Sequence, residues 1–207
     1  MYSRRAILSF GAALAATAVL PGAADAKTAT PAKAIDGQVY LIRGLANIFS
    51  TGLDTLGREL KKQGIPSEVV SLRDSDSFAS QIAQKYAASK AGRPIVLIGH
   101  SFGADEAYNV AKYLKRRNVR VDLIVTFDPT GQGPVPSNVR RVVNFYTGSD
   151  ALWAPVKPGD GFKGKLSNIN VSKGDDAIKG IGHFNVEKNE KLHAQTIAEI
   201  KKVLRIR

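Results

Sequence analysis

From residue 38 onward, short runs of apolar residues alternate with segments in which apolar residues recur every three or four positions. The short runs predict buried strands at 39–42, 69–70, 94–98, 121–127 and 139–146. Strands separated by helices of this length pair in parallel and are covered on both faces. The pattern therefore predicts an α/β fold: a three-layer sandwich with a mostly parallel central sheet and helices on both faces. The four predicted helices have apolar stripes at Leu53, Leu56 and Leu60; Phe78, Ile82 and Tyr86; Ala107, Val110, Ala111 and Leu114; and Leu192, Ile197, Ile200, Val203 and Leu204.

The segment 147–182 departs from this alternation. It is rich in Gly, Lys and Asp and contains no long periodic run, so we predict that it is mostly loop. It leaves little room for a separate lid domain. We expect a single minimal domain over residues 37–207, with an open site.

The first 26 residues have the pattern of a cleaved export signal. Arg4 and Arg5 precede an uncharged stretch from 6 to 20, and Ala24-Asp25-Ala26 forms a small-x-small cleavage site. A membrane anchor is the alternative, but this stretch is short and weakly apolar for a bilayer crossing. The sequence around the two arginines also resembles the twin-arginine motif in part, which leaves both export routes open. We therefore expect an exported protein, periplasmic or secreted, with 27–36 as a flexible lead-in.

The composition excludes several kinds of site. The 207 residues include no Cys, which rules out disulfides, cysteine–zinc sites and a thiol nucleophile. Three His and no HExxH pattern make a multi-histidine metal centre difficult to build. A hydrophobic content of 43% is sufficient for one sizeable core. The net charge of +12, or +11 once the two Arg and one Asp of residues 1–26 are removed, attracts anionic surfaces.

The strand at 94–98 runs directly into Gly99-His100-Ser101-Phe102-Gly103, and a helical stripe follows without a gap. GxSxG in this strand–turn–helix context is the nucleophile-elbow pattern. The tight turn lifts the Ser101 oxygen clear of the sheet. Side chains at positions 99 and 103 would collide in such a turn, which explains Gly99 and Gly103. The amide of Phe102, at the helix N-terminus, can then stabilise an oxyanion. An ordinary Gly-Ser turn of a nucleotide-binding fold is the alternative, but the phosphate-binding patterns GxxxxGKS/T and GxGxxG are absent here.

With these residues the chain resembles the α/β-hydrolase superfamily, in its small lipase, esterase and thioesterase-like branch. The resemblance extends over residues 37–207 through the order of strands and motifs. It departs at Ala104, where many members have a further Gly, although Ala is small enough for close helix packing. The resemblance implies a serine nucleophile followed along the chain by an acid and a late His. It also implies that the Leu45 amide is the second oxyanion donor and that no metal or organic cofactor is needed.

His183 is the predicted general base. It lies in the loop Gly180-Ile181-Gly182-His183-Phe184 just before the last helix, where the family keeps its catalytic His. His193 is the rival, but its spacing in the last helix suits a partly buried structural residue. His100 belongs to the elbow, and a base there would point away from the oxygen of Ser101.

The acid of the triad has two candidates. Asp128 ends the strand that follows the elbow helix and precedes Pro129, which resembles the acid position of pancreatic-type lipases. Asp150 ends the next strand, the commoner position across the superfamily. Each residue is also common in turns, and we favour Asp128 by analogy. Trp153, close to Asp150, is either a core anchor or a wall of the acyl pocket.

These roles predict an exported serine hydrolase that cleaves carboxylic esters or thioesters of small molecules or lipids through an acyl-enzyme. Because the His must be neutral to act, activity should rise with pH through roughly pH 6–7. The alternative is a non-catalytic, basic cell-envelope binding protein on a hydrolase scaffold. The oligomeric state is not predicted.

A basic run lies at the end of the elbow helix and nearby. It favours a solvated helix end or contact with an anionic envelope surface, and its lack of interleaved aromatics argues against nucleic acid. The run consists of Lys112, Lys115, Arg116, Arg117, Arg120, Arg140 and Arg141.

Overall fold

The computed structural model describes residues 35–44, 51–71, 74–89, 93–131, 133–148 and 152–206. Its strands are β1 (Gln38–Ile42), β2 (Ser67–Val70), β3 (Ile95–His100), β4 (Leu123–Phe127), β5 (Arg141–Tyr146) and β6 (Lys165–Asn170). Its α-helices are α1 (Thr51–Lys62), α2 (Ser75–Ala87), α3 (Phe102–Arg116) and α4 (Glu190–Leu204), and a short 3₁₀ helix covers Val186–Lys188.

The six strands form one sheet in the order β2-β1-β3-β4-β5-β6, and each neighbouring pair is parallel. In the register of the central strands Ile42 pairs with Gly99, and His100 pairs with Phe127. The carboxyl ends of β1, β3 and β4 therefore lie side by side. Ligands of open parallel sheets bind at this edge, where the strand order reverses.

Alternate residues of the strands face opposite layers of helices. Val39 and Leu41 of β1 belong to an apolar cluster that includes side chains of α1 and α4. Tyr40 and Ile42 belong to a second cluster with side chains of α2 and α3. The central strand β3 is buried at every position, as expected of a strand covered on both faces. This arrangement confirms the predicted three-layer α/β sandwich.

Strand β6 lies in the segment that its sequence predicts to be mostly loop, so that prediction is wrong for residues 165–170. No residue of β6 is buried, and its sequence, KLSNIN, has no apolar face. It is an edge strand and pairs along its whole length with β5. The side chain of Asn168 adds hydrogen bonds to the amide and the carbonyl of Val156, at 3.0 and 3.1 Å. A strand held by backbone pairing and amide contacts carries little apolar pattern.

Residues 1–34, which contain the predicted export signal at 1–26 and most of the lead-in at 27–36, lie outside the described residues. In the part of the chain that the structure describes, no helix has the length and apolar content needed to cross a bilayer.

Candidate active site

Ser101 stands in the turn between His100, the last residue of β3, and Phe102, the first residue of α3. Its backbone has φ 56° and ψ −129°, a conformation that a residue with a side chain adopts only under strain. Its amide donates to the carbonyl of Phe127 on β4 at 3.0 Å, which ties the turn to the neighbouring strand. The amide of Phe102 lies in the first turn of α3, where amides have no intrahelical acceptor. It is therefore available to an oxyanion at the serine.

The glycines on either side of this turn make close backbone contacts. A Cβ on Gly99 would collide with the carbonyl of Gly103, across the elbow. A Cβ on Gly103 would collide with the carbonyl of Ile42, at the carboxyl end of β1. Because each obstacle is backbone, neither contact can be relieved by a change of rotamer. The steric reason for both glycines of the GxSxG pattern is thus present in the structure.

His183 lies next to the serine. Its Nε2 is 3.1 Å from the Oγ of Ser101, a hydrogen-bond distance. The loop that carries it is closed by Asn185, whose side chain accepts from the amide of Gly182 at 2.8 Å and donates to the carbonyl of Gly180 at 3.1 Å. The loop thereby brings together two residues that are 82 positions apart in the sequence.

Asp128 follows β4 and is completely buried, with a backbone φ of 44°. Its carboxylate accepts from the amide of Thr147 at 2.6 Å and from the hydroxyl of Thr147 at 2.7 Å. Its Oδ2 lies 3.5 Å from Nδ1 of His183, slightly beyond a hydrogen bond. Among the described residues Nδ1 is buried and has no other hydrogen-bond partner. Catalytic hydrogen bonds are often long without a substrate and tighten when one binds.

Two of the predicted site residues cannot be located in this way. Asp150, the alternative acid, and Leu45, the predicted second oxyanion donor, both lie outside the described residues. Their roles stay predictions. The described geometry brings Ser101, His183 and Asp128 into one cluster at the carboxyl edge of the sheet.

His100, the residue before the serine, is buried behind the loop that carries His183. Its Nε2–H donates to the backbone carbonyl of His183 at 2.9 Å. Burial lowers the pKa of His100 to about 4, so the ring is neutral over most of the pH range in which a hydrolase works. Its contact holds the backbone of His183.

Glu187, four residues after His183, is a fully buried carboxylic acid. Its Oε2 is 4.0 Å from Nε2 of His100. Neither carboxylate oxygen has a well-formed hydrogen bond among the described residues. Burial raises the pKa of Glu187 to about 7, an effect that the nearby amides of Glu187 itself and Gly52 offset only in part. Below neutral pH an uncharged acid therefore lies behind the loop that carries His183.

Trp153 stacks on the imidazole of His183. The indole and the imidazole of His183 have centroids 4.3 Å apart and planes 13° apart. Phe184 meets the same imidazole edge-on, at 5.3 Å and 76°. Phe184 is 65% exposed, Leu152 is 57% exposed, and Phe102 is 51% exposed. Three of the four exposed large hydrophobic residues among the described ones are thus immediate neighbours, in the sequence, of Ser101, His183 or Trp153.

The thioesterase domain family matches residues 37–141, about half of the chain. The chain belongs to the thioesterase domain family. This membership makes it a hydrolase that acts on thioester or ester bonds. The matched range of this thioesterase domain contains Ser101 and Asp128, whereas His183 lies beyond it. Among curated proteins none matches the chain.

Solved structures with the same fold include two thioesterases. Human thioesterase 2 is 14% identical, with a TM-score of 0.53 over 82% of this chain and 96% of that chain. The RedJ thioesterase of Streptomyces coelicolor, with a PEG molecule bound in its active site, is 15% identical, with a TM-score of 0.51 over 86% of this chain and 95% of that chain. At these identities the likeness concerns the fold, which is that of the α/β hydrolases.

His193, the rival base, has both ring nitrogens engaged elsewhere in this thioesterase domain. Nδ1 is 3.2 Å from a carboxylate oxygen of Glu59, and Nε2 is 2.7 Å from the carbonyl of Glu187. The ring is 3% exposed and connects α4 to α1. These contacts favour the structural interpretation of His193.

Most arginines of the basic run are paired within the domain. Arg117 contacts Asp76 at 2.7 Å, Arg120 contacts Asp122 at 3.1 Å, and Arg141 contacts Glu199 at 2.6 Å. Such pairs favour a structural, solvated helix end over a binding surface. In the described ranges no group of three or more metal-ligating side chains comes together.

Sequence reasoning missed the roles of two of the residues behind and beside the site. Glu187 lies in a charged stretch, VEKNEK, that reads as a solvated helix end. His100 was set aside as a base, but its part in holding the loop of His183 depends on a contact between positions 83 apart. No local pattern signals either contact.

Proposed function

We propose that this protein is an exported serine hydrolase that cleaves thioesters or carboxylic esters through a triad of Ser101, His183 and Asp128. The observation that carries the proposal is the 3.1 Å contact between Oγ of Ser101 and Nε2 of His183 at a strained strand-to-helix turn. A hydroxyl within hydrogen-bond reach of an imidazole is the arrangement of an activated nucleophile. The buried carboxylate of Asp128, 3.5 Å from Nδ1, supports the third role.

The reaction follows from this arrangement. Oγ of Ser101 attacks the acyl carbon while Nε2 of His183 takes its proton. The negative charge on the carbonyl oxygen is stabilised by the amide of Phe102 and, in this proposal, by that of Leu45. The bond to sulfur or oxygen then breaks, and His183 gives its proton to the leaving group. Water attacks the acyl-enzyme with His183 as base, which releases the carboxylic acid and restores the serine.

Asp128 has two tasks in this scheme. It faces Nδ1 of His183, which favours the tautomer with a proton on Nδ1 and a free lone pair on Nε2. It also stabilises the imidazolium that forms during acyl transfer. Its own position is fixed by both hydrogen bonds from Thr147, so it cannot easily rotate away.

The surroundings of the serine support a substrate with an apolar acyl group. Phe102, Leu152 and Phe184 expose large apolar surfaces beside the site, and exposed apolar patches mark binding surfaces. The pattern of residues 1–26 supports the exported part of the proposal. Detection of the processed chain, starting at Lys27, outside the cytoplasm tests that part.

The triad is tested with a fluorophosphonate probe, which labels only an activated serine. We expect labelling of the wild type, none of Ser101→Ala, and strongly slowed labelling of His183→Ala and Asp128→Asn. Asp175→Asn, which removes an exposed carboxylate outside the proposed triad, is the matched control and should label like the wild type.

The same experiment separates the alternatives. Slow labelling of Asp150→Asn together with normal labelling of Asp128→Asn would assign the acid to Asp150. A folded wild type that fails to label would refute the hydrolase proposal and favour the non-catalytic binding protein.

A further inference from the structure

The catalytic base has a stacking partner. The indole of Trp153 lies nearly parallel to the imidazole of His183, 4.3 Å away between centroids. Trp153 is half-buried, and it is the only Trp in the chain. The proposed reaction gives Trp153 no role, because Trp153 is neither nucleophile, base nor acid.

We propose that Trp153 is a positioning residue, whose indole holds the His183 ring in its working plane and stabilises the imidazolium formed during acyl transfer. The inference rests on the proposed function, because proton transfer from Ser101 is what charges the ring. The face of an indole attracts a cation within about 6 Å of its centroid. The separation of 4.3 Å is well inside this limit.

The hydrogen-bonding contacts of His183 lie in the plane of its ring and do not by themselves prevent the ring from tilting. The contact to Ser101 restrains one edge of the ring, at 3.1 Å. The opposite edge faces Asp128 at 3.5 Å, and that carboxylate also accepts two hydrogen bonds from Thr147. Contacts at the edges restrain rotation within the plane of the ring better than tilting out of it. A parallel indole restrains the tilt.

The backbone fixes the indole in this position. Trp153 has a φ of 53°, in the left-handed region that residues with side chains adopt only at a cost. The amide of Gly148 donates to the carbonyl of Trp153 at 3.0 Å. A Cβ on Gly148 would collide with the carbonyl of Leu152, so only glycine permits this close approach. Strain held by surrounding contacts is typical of functional sites.

Four further titratable or charged groups lie around the stacked pair, and the test has to separate them. Asp128 faces Nδ1, and the ring of His100 is 4.9 Å from that of His183. Glu187 and Lys188 follow on the same segment and act electrostatically on this group of residues. Burial lowers the pKa of His100 to about 4 and raises the pKa of Glu187 to about 7. Of the four groups, Glu187 is therefore the one whose change of charge near neutral pH the test must separate from that of the stacked pair.

The first test uses the fluorescence of the single tryptophan. A protonated imidazole in contact with an indole quenches it, whereas a neutral one quenches weakly. We expect the emission of the wild type to fall as the pH decreases from 8 to 5, in one transition. His183→Asn should abolish the transition, and Glu187→Gln, the matched control, should keep it. A transition that survives in His183→Asn, or none in the wild type, would overturn the inference.

The second test measures catalysis by Trp153→Phe and Trp153→Leu. Leu keeps an apolar cover without a π face, so we expect kcat to fall about tenfold with KM changed less than twofold. Phe retains a ring and should recover most of kcat. Because the imidazolium loses a favourable contact, the pH of half-maximal activity should move lower in Trp153→Leu by about half a unit. Equal losses in both variants without a change of pH profile would indicate a merely structural side chain.

The outcomes of these tests distinguish a failure of the proposed role of Trp153 from a failure of the proposed function. The fluorescence transition requires only the stacked rings, not an active enzyme. If Ser101→Ala retained full activity, the hydrolase proposal would fail while the fluorescence result stood. If the wild type is active but shows no transition that depends on His183, only the role of Trp153 is refuted.

Discussion

Replacing Glu187 by Gln should stabilise the protein at alkaline pH and do so less at acid pH. The carboxyl group is fully buried, and burial raises its pKa from an ordinary 4.5 to about 7. The folded protein therefore holds a proton there that the unfolded chain releases above about pH 4.5. Folding stability from this group is complete below that pH and is lost as the pH rises to about 7.

The size of the effect follows from the same shift in pKa. A change from 4.5 to about 7 corresponds to about 3 kcal/mol, because one pH unit equals about 1.4 kcal/mol of differential interaction. Most of it develops between pH 5 and pH 8, over which the stability advantage of Glu187→Gln should grow by about 2 kcal/mol. Gln has nearly the same shape as Glu and no charge, so its own packing cost is the same at both pH values and cancels.

The assay is urea unfolding of both proteins at pH 5 and pH 8. Other titrating groups are common to the two chains and drop out of the comparison. Glu199→Gln is the control: burial acts to raise the pKa of Glu199, but hydrogen bonds from Lys202 and Arg141 prevail and lower it. Its effect on stability should therefore be equal at pH 5 and pH 8. A difference between Glu187→Gln and wild type that does not change with pH would refute the burial argument.

Two further variants test contacts around the elbow. His100→Leu removes the N–H that donates to the carbonyl of His183, so we expect kcat to fall about tenfold and the free energy of unfolding to fall by about 1–3 kcal/mol. His100→Gln can still donate and should keep most of both kcat and stability. Equal steady-state kinetics of the Leu and Gln variants would contradict this explanation. Gly103→Ala places a Cβ against the carbonyl of Ile42 and should cost about 3 kcal/mol in chemical unfolding. Gly182→Ala, which meets no atom within 4 Å, is its control and should be nearly neutral; a similar loss in both would argue against the steric explanation of the elbow glycines.

The parts of the fold and site that sequence reasoning predicts well are those that local physics determines. The apolar run at 94–98, with three β-branched residues, predicts a buried strand, and its immediate continuation into GHSFG leaves one turn in which to place Ser101. Both glycines of that motif face backbone carbonyls, so the pattern reflects a steric need and not chance. The order of nucleophile, acid and base that the resemblance implies then indicates His183, whereas Asp128 is preferred to Asp150 only by analogy.

The parts that were missed depend on contacts across the fold. Strand β6 pairs with β5 through its backbone, and none of its residues is fully buried, so its sequence carries little strand signal. The stacking of Trp153 depends on a positive φ and a close approach to Gly148 that its neighbours in sequence do not reveal. Glu187 is buried where the start of α1 packs closely against its backbone, since a Cβ on Gly52 would collide with the carbonyl of Glu187. Composition predicts a charged surface for this residue, and tertiary packing overrides it.

The two variable positions of the elbow motif lie in opposite environments. His100 is 1% exposed and ties the loop of the base from inside the fold. Phe102 is 51% exposed and presents an apolar surface beside Ser101. The positive φ of Ser101 separates them, because it reverses the chain between the end of β3 and the start of α3. A single strained residue therefore separates a neighbour that is buried in the fold from one that is exposed at the surface.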